Sequence, residues 1–445
     1  MTSSLARRRV GSGLPALLAV LFAALGPSSF PSRAAAADVF DPDAPPETKY
    51  RLAPFLTFGA DLEFTYDYRK NPGLNDGPDN DAALFTPELS LAFSFDPDPR
   101  FQAFLNVAVS REFVFKIEAD QSQPSEDVAL EVKEAYIWLR SLPGGFSLQL
   151  GRQRFEDERQ WLYDEELDAV RLRLEHAALA IELSASRDAL VQKDLFSSTQ
   201  QDRINNYVLY ASYRLPRDTT LEAYAIVRDN RDADRRQPVF VGLRSRGEPI
   251  EDLDYWLDLA YVAGRDGSKR IRGWAVDLGA TYEFQVGPKP ALTLGFAFGS
   301  GDGNPDDGTD ESFRQTGLQA NEGDFGGATD FKYYGEVLDP ELSNLGILTA
   351  GVGIRPSDNV SLDLVYHYYF QHHAAATLRN ADIEAEPSGR SRRLGSAVDL
   401  ILGLQEIWDH LDALVAVGYF SPGAAFPEAA GGGAWVVRAE VQFRF

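Results

Sequence analysis

Residues 434–445 constrain this chain more than any other stretch, because they alternate in polarity without a break up to the last residue. Trp435, Val437, Ala439, Val441, Phe443 and Phe445 fall on one face, and Arg438, Glu440, Gln442 and Arg444 on the other. Side chains of an extended strand point to opposite faces with a period of two, so this is a strand with one apolar and one charged face. Soluble sandwiches also make such strands but seldom end the chain on one whose apolar face is aromatic at both ends; a strand crossing a bilayer, where aromatic girdles bound the lipid-facing band, does.

The N-terminus points to the same compartment. Arg7, Arg8 and Arg9 precede an apolar run over residues 14–25, and Ala35, Ala36 and Ala37 follow. That order of charged, apolar and small residues is a secretory signal peptide, and the run of about twelve residues is too short for a membrane helix, which needs ~20. The expected organisation is a leader over 1–37, a periplasmic segment over 38–54 and an outer-membrane β-barrel over 55–445. The terminal Phe445 resembles the signal by which outer-membrane barrels are assembled.

A mean hydropathy of -0.26 does not argue against a barrel, since alternating strands dilute their apolar residues with polar ones that face the lumen. Cysteine is absent, which excludes a disulfide framework and thiolate metal sites. Acids number 67 against 43 Lys and Arg, a net charge of -24; nucleic acid is therefore excluded as a partner on charge.

Apolar alternation recurs between turn signals at 58–68, 89–95, 101–113, 132–140, 146–154, 170–175, 178–186, 207–214 and 221–228. It continues at 255–263, 274–284, 292–300, 348–355, 360–370, 394–404, 411–420 and 434–445. These are seventeen, whereas bacterial barrels carry an even number. Tight turns such as Asp96-Pro97-Asp98-Pro99 and Pro356-Ser357-Asp358-Asn359 suit the periplasmic side and alternate with longer extracellular loops. That alternation fails between Arg228 and Tyr255, where Val239, Val241 and Leu243 supply a further strand, with a turn at Glu248-Pro249. The expectation is all-β: one antiparallel barrel of eighteen strands, porin-sized.

Parity assigns the lumen face. Where Val170, Leu172 and Leu174 meet lipid, Arg171, Arg173 and Glu175 point inward. By the same rule Arg140, Arg355 and Arg438 are lumen residues, together with many acids, among them Glu63, Glu88, Glu182, Glu222, Asp258 and Asp399. This reads as a hydrated pore whose charges largely pair across strands. Parity alone does not fix the ion sign, because a selective ring depends on axial height.

At Gly151-Arg152-Gln153-Arg154-Phe155 and through 163–171 the chain resembles the alginate export porin family. The likeness extends to Gly273-Trp274, residues 277–280 and 299–303, Phe313-Arg314-Gln315-Thr316-Gly317 and Tyr333-Tyr334-Gly335-Glu336, and spans about 50–445. The resemblance implies an Arg-rich constriction that passes an anionic linear polysaccharide, a polyuronate, handed over by periplasmic secretion proteins. Arg152, Arg154 and Arg171 stand in the matching motifs and Arg173 extends them, with Asp164 and Glu165 as the acids that position them. Two features depart from the family: the connection 405–410 is short where members carry a long periplasmic turn, and Arg152 and Arg154 share parity with lipid-facing Leu148 and Leu150. The latter two reach the lumen only if Gly151 marks a bulge.

The remaining signals are weaker. Asp302, Asn304 and Asp306 echo a calcium loop with its Gly displaced and Phe313 where Glu belongs; weak calcium binding is the most they imply, and no cofactor is expected. His372-His373 lacks a clear third ligand. Five His and no Gly-x-Ser-x-Gly leave little for catalysis, and His367 near Asp363 reads as a structural pair. The segment 301–345 either folds inward or stays a solvated loop. The expectation is a monomeric, passive exporter in outer-membrane lipid, with a general or small-solute porin as the alternative and a surface-binding barrel third.

Overall fold

The computed structural model describes residues 48, 50–75, 81–116, 128–197, 204–230, 236–408, 410–427 and 432–445; the expected leader 1–37 and most of the segment 38–54 lie outside them. Eighteen strands form one closed antiparallel sheet. The first six are β1 (Leu56–Lys70), β2 (Asp81–Asp98), β3 (Phe101–Arg111), β4 (Val128–Leu142), β5 (Phe146–Glu156) and β6 (Asp164–His176). Next come β7 (Leu179–Arg187), β8 (Ile204–Arg214), β9 (Thr220–Asn230), β10 (Arg236–Ile250), β11 (Leu253–Asp266) and β12 (Lys269–Glu283). The last are β13 (Pro290–Gly299), β14 (Leu345–Ser357), β15 (Val360–Gln371), β16 (Arg393–Ile407), β17 (Leu411–Pro422) and β18 (Ala434–Arg444). Each pairs with its sequence neighbours, and β1 pairs with β18 from Asp61↔Arg444 to Lys70↔Trp435, which closes the barrel. A short strand, Tyr50–Ala53, pairs back onto the start of β1.

The strand inferred around Val239–Leu243 is β10, but its turn falls at Glu251-Asp252 and not at Glu248-Pro249. The register slips between Gly247 and Ile250, and at such a bulge a proline costs no ladder bond.

Hydrophobicity is inverted relative to a water-soluble protein. Leu243, Leu294 and Val352 are more than half exposed on the outer face, while Glu222, Asp258 and Asp399 are almost fully buried inside. Only a hydrocarbon surround makes that arrangement favourable. Aromatic contacts mark both rims: Tyr419 with Trp435 at 4.5 Å and Trp274 with Phe298 at 5.2 Å near the long loops, Phe55 with Phe95 at 5.4 Å and Tyr282 with Phe284 at 4.9 Å near the short turns. In the β4–β5 turn Gly145 has φ 82°, and a Cβ there would lie 2.4 Å from the Glu175 carbonyl, so only glycine fits.

The lumen is partly filled by extracellular connections that fold inward. Residues 157–163 (between β5 and β6) and 300–344 (between β13 and β14) build a core in which Trp161 stacks on Phe313 at 6.1 Å and Trp256 on Phe325 at 5.6 Å. The longer connection descends the whole barrel. Arg355 Nε, beside the periplasmic β14–β15 turn, donates to the Gly326 carbonyl at 2.6 Å, and Ala328 N donates to Ser361 Oγ at 3.0 Å.

For the β5–β6 hairpin to lean inward it must leave the wall. Pairing between β4 and β5 ends at Ala135↔Arg152, next to Gly151 with φ 125°. Above that point β4 is paired instead by the β7–β8 connection: Val132 N donates to the Lys193 carbonyl at 3.1 Å and Leu195 N to the Leu130 carbonyl at 2.8 Å. A distant segment thus restores the backbone bonds the hairpin gives up, as hydrocarbon requires.

A lipid-facing charge tests this orientation. Leu278→Arg or Leu364→Arg, both mid-strand on the outer face, is expected to lower unfolding stability by about 2–4 kcal/mol, read as a shift in the urea midpoint of heat-modifiable gel migration; no shift would mean that face is not in hydrocarbon.

Candidate functional site

On the β6–β12 side the lumen is solid. Arg244 bridges Asp157 of the infolded hairpin at 2.7 Å and donates through Nε to Asp258 of β11. Arg246 reaches Glu222 at 3.2 Å and Glu158 at 2.9 Å, and Tyr210 donates to Glu222. Arg159 lies between the rings of Trp256 at 4.3 Å and Tyr333 at 4.0 Å, with Asp277 at 3.4 Å from its Nη2. Burial alone would raise the Asp157 carboxyl, but Arg244, Arg246 and the amides of Leu162 and Tyr163 outweigh it and hold it below the usual carboxylate range. Charges this deeply buried persist only when each meets an opposite partner, and removing one strands the rest.

On the β1–β4 side the lumen is open. Inward-facing Asp61, Glu63, Asp67, Glu88, Asn106 and Glu134 are all half-buried, in contrast to the sealed residues opposite. The polar face across from them carries Arg154, Glu156 and Asp164 of the hairpin, Glu322, Asp324 and Asp330 of the long connection, and Glu440 of β18. A hydrated lane therefore runs off-centre, along the first four strands. Three cations stand in it, each between acids: Arg154 with Asp164 at 2.8 Å and Glu156 at 3.0 Å, Lys133 with Glu131 at 3.1 Å and Glu88 at 3.4 Å, and Arg69 with Asp382 at 2.7 Å and Asp67 at 2.9 Å. Arg438 joins Glu322 at 2.9 Å to Glu336 at 3.4 Å and fastens the long connection to β18. Burial inside the barrel, reinforced by Asp324, Glu322, Glu156 and Glu158, pushes the Asp330 carboxyl up to about 7.

The residues expected to line the pore separate into distinct environments. Arg171 and Arg173 point inward but are closed off, their guanidinium groups sharing Glu182 at 3.0 and 3.2 Å, with Phe155 3.8 Å from the Arg171 carbon. Arg152 does not reach the lumen water at all. It sits behind the leaning hairpin in a two-pronged pair with Asp168, both contacts 3.0 Å, and donates to the Val132 and Val191 carbonyls. The glycine at 151 releases β5 from β4 without carrying Arg152 inward, and the β7–β8 connection covers it. Arg355 is consumed by Asp363 at 2.8 Å and by the carbonyls of the loop tip. Arg140 meets Asp96 at 3.1 Å at the periplasmic end, where Glu175 also lies, exposed at its turn. Glu165 pairs with Lys193 at 2.9 Å in the segment that covers the wall. Of the arginines expected to bind substrate, Arg154, with 43% of its side chain exposed, is the one most open to water.

Other expectations resolve differently. His367 pairs with Thr349 Oγ1 at 3.0 Å and faces Asp399 at 3.5 Å, not Asp363. His372 accepts from Gly301 N at 3.0 Å. Asp302 caps the Asn304 amide at 2.9 Å. The β16–β17 turn is short, as the sequence indicated. Lys133 was not foreseen: by parity it faces lipid, and a bulge between Asn106↔Glu134 and Val107↔Val132 brings it to Glu88.

The family model for alginate export matches residues 55–434. The alginate production protein AlgE of Pseudomonas aeruginosa is 25% identical over 347 residues, 65% of this chain and 69% of that protein. Its counterpart in Pseudomonas syringae pv. tomato is 22% identical over 352 residues, 66% of this chain and 67% of that one. The crystal structure of Pseudomonas aeruginosa OccK11 (OpdR) superposes with a TM-score of 0.56 at 13% identity, covering 87% of this chain and 96% of that chain, so the eighteen-stranded architecture is that of an outer-membrane porin. A closed barrel with lipid-facing leucines, an off-centre hydrated lane and a family match over most of its length make this chain a member of the alginate export family of the outer membrane.

Proposed function

We propose that the protein is a passive conduit through which an alginate-like linear polyuronate leaves the cell along the lane beside β1–β4. The observation that carries this reading is the asymmetry of the lumen: one wall is sealed by buried ion pairs, while the other keeps half-exposed cations in water. Arg154, Lys133 and Arg69 are each flanked by two acids, so a sugar carboxylate meets a cation already partly neutralised. A guanidinium fork suits a carboxylate, yet a hydrated pair is worth only ~0–1 kcal/mol. A series of such contacts orients a polyanion without trapping it, and the surrounding acids push it onward. Nothing in this mechanism calls for a reaction or an energy source at the barrel; the polymer is driven by synthesis behind it and received, by a single barrel, from periplasmic secretion proteins. The excess of acids in the lane favours the second reading, a small-solute porin that prefers cations.

Single-channel recording in a planar bilayer separates the two. Polymannuronate, but not a neutral polymer of similar length, is expected to block the current, and Arg154→Gln/Lys133→Gln is expected to weaken that block roughly fivefold, the effect of two hydrated ion pairs. Current indifferent to polyuronate would sink the conduit in favour of the porin.

The lane should also respond to pH through Asp330. With its folded pKa near 7 and above the unfolded value, Asp330 takes up a proton as pH falls from 8 to 6; the lane loses a negative charge and folding stability rises over the same descent. Reversal potentials should therefore show weaker cation preference at pH 6 than at pH 8, and Asp330→Asn should remove the step. A step that persists unchanged in the variant would assign it to another group.

A further inference from the structure

The outer face of the β11–β12 hairpin carries an arrangement that export does not use. Its turn is only Gly267-Ser268, since Asp266 pairs with Lys269, and residues 309–310 of the long connection pair along the edge of β12 beside Arg270 and Ile271. Tyr261 and Trp274 are cross-strand partners on the lipid face, both exposed, in the extracellular aromatic girdle. The next outward pair is Ala263↔Arg272 and the one above it Arg265↔Arg270. The buried Ile271 between Arg270 and Arg272 points inward, as does Ala275 beyond Trp274, which fixes the two arginines on the outside. At ~3.4 Å per residue along strands tilted by ~40°, the guanidinium groups spring from the strand ~5–10 Å beyond the girdle, the depth of lipid headgroups.

Two arginines directly opposite each other repel, and Arg265, Arg270 and Arg272 are all exposed. Glu311 reaches Arg272 at 3.6 Å, and no carboxylate among the described residues forms an ion pair with Arg265 or Arg270. Exposed Asp306 and Asp307 stand on the neighbouring segment but form no ion pair with Arg265 or Arg270, so these two opposed guanidinium groups are left to take an anion supplied from outside. Planar guanidinium forks match phosphate oxygens, and the phosphates at this depth belong to the glycolipid of the outer leaflet.

We propose that Arg265, Arg270 and Arg272 bind a phosphate of an outer-leaflet glycolipid whose acyl chains pack below against Trp274 and Tyr261. The site is independent of what passes through the lumen. Native mass spectrometry of the detergent-solubilised full chain with added bisphosphorylated lipid A, its dephosphorylated form, or lipid A plus inorganic phosphate tests it. Wild type should hold lipid A at least tenfold more tightly than Arg265→Gln/Arg270→Gln/Arg272→Gln, with the dephosphorylated lipid bound equally by both and inorganic phosphate failing to displace lipid A. Equal retention of lipid A by both proteins would overturn the proposal. So would indifference to the phosphates, or displacement by inorganic phosphate, which would make this a free-anion site. Heat-modifiable migration confirms that the variant is folded, and Arg270→Gln alone, with a smaller loss in the same direction, serves if the triple variant is not.

Discussion

A backbone amide inside a bilayer finds no partner in the lipid, so every one that crosses must be bonded to the protein itself. Pairing of the first strand, Leu56–Lys70, with the last, Ala434–Arg444, meets that demand around the whole circumference. Closure fixes the alternation of faces, and alternation decides which charges are carried indoors. It also explains the least expected element of the wall. When the β5–β6 hairpin bends into the lumen its abandoned neighbour, Val128–Leu142, would be left with open amides; residues 193–195 occupy the vacated edge.

What happens inside follows from electrostatics in a confined space. The lumen of an eighteen-stranded barrel is too wide to be filled by wall side chains, and this chain fills part of it with its own loops. Arg244, Arg246 and Arg159 tie those loops to β9–β12 through Asp157, Glu222, Asp258 and Asp277, and Arg438 ties them to β18. The open lane is what those attachments leave over. Its position beside β1–β4 is set by where the partners of the loop charges happen to stand, on the far wall.

Much of the wall could be read from residue order. Each of the eighteen strands was visible as alternation, including β10, which only the count of crossings demanded, because lipid on one side and water on the other impose the period of two. The lumen site was less legible. Arg171 and Arg173 do point inward, as Val170 and Leu172 implied, but parity reports direction and not cover, and nothing in the local sequence says that Phe155 and Tyr163 will close over them. Arg152 and Lys133 both have lipid-facing parity, yet neither meets lipid, because the β7–β8 connection covers Arg152 where β5 parts from β4 at Gly151 and β4 bulges beside Lys133. A glycine hinted at the first; the second left no mark in the sequence. The descent of residues 300–344 depends on contacts with residues far away in the chain, which no window of local pattern contains.

The tip of that descending connection is held at the periplasmic end through main-chain atoms: Arg355 grips the carbonyls of Phe325 and Gly326, and Ser361 receives the amide of Ala328. An anchor of this kind is blind to most of the side chains around it. Asp330, which projects into the lane, is free to change in the course of evolution without loosening the loop that presents it, whereas Asp324 accepts the amides of Gly326 and Gly327 and belongs to the anchor. The barrel thereby separates the part of the loop that must stay in place from the part that meets the cargo, and relatives could be retuned for polymers of different charge density by exchanging a few residues at the tip.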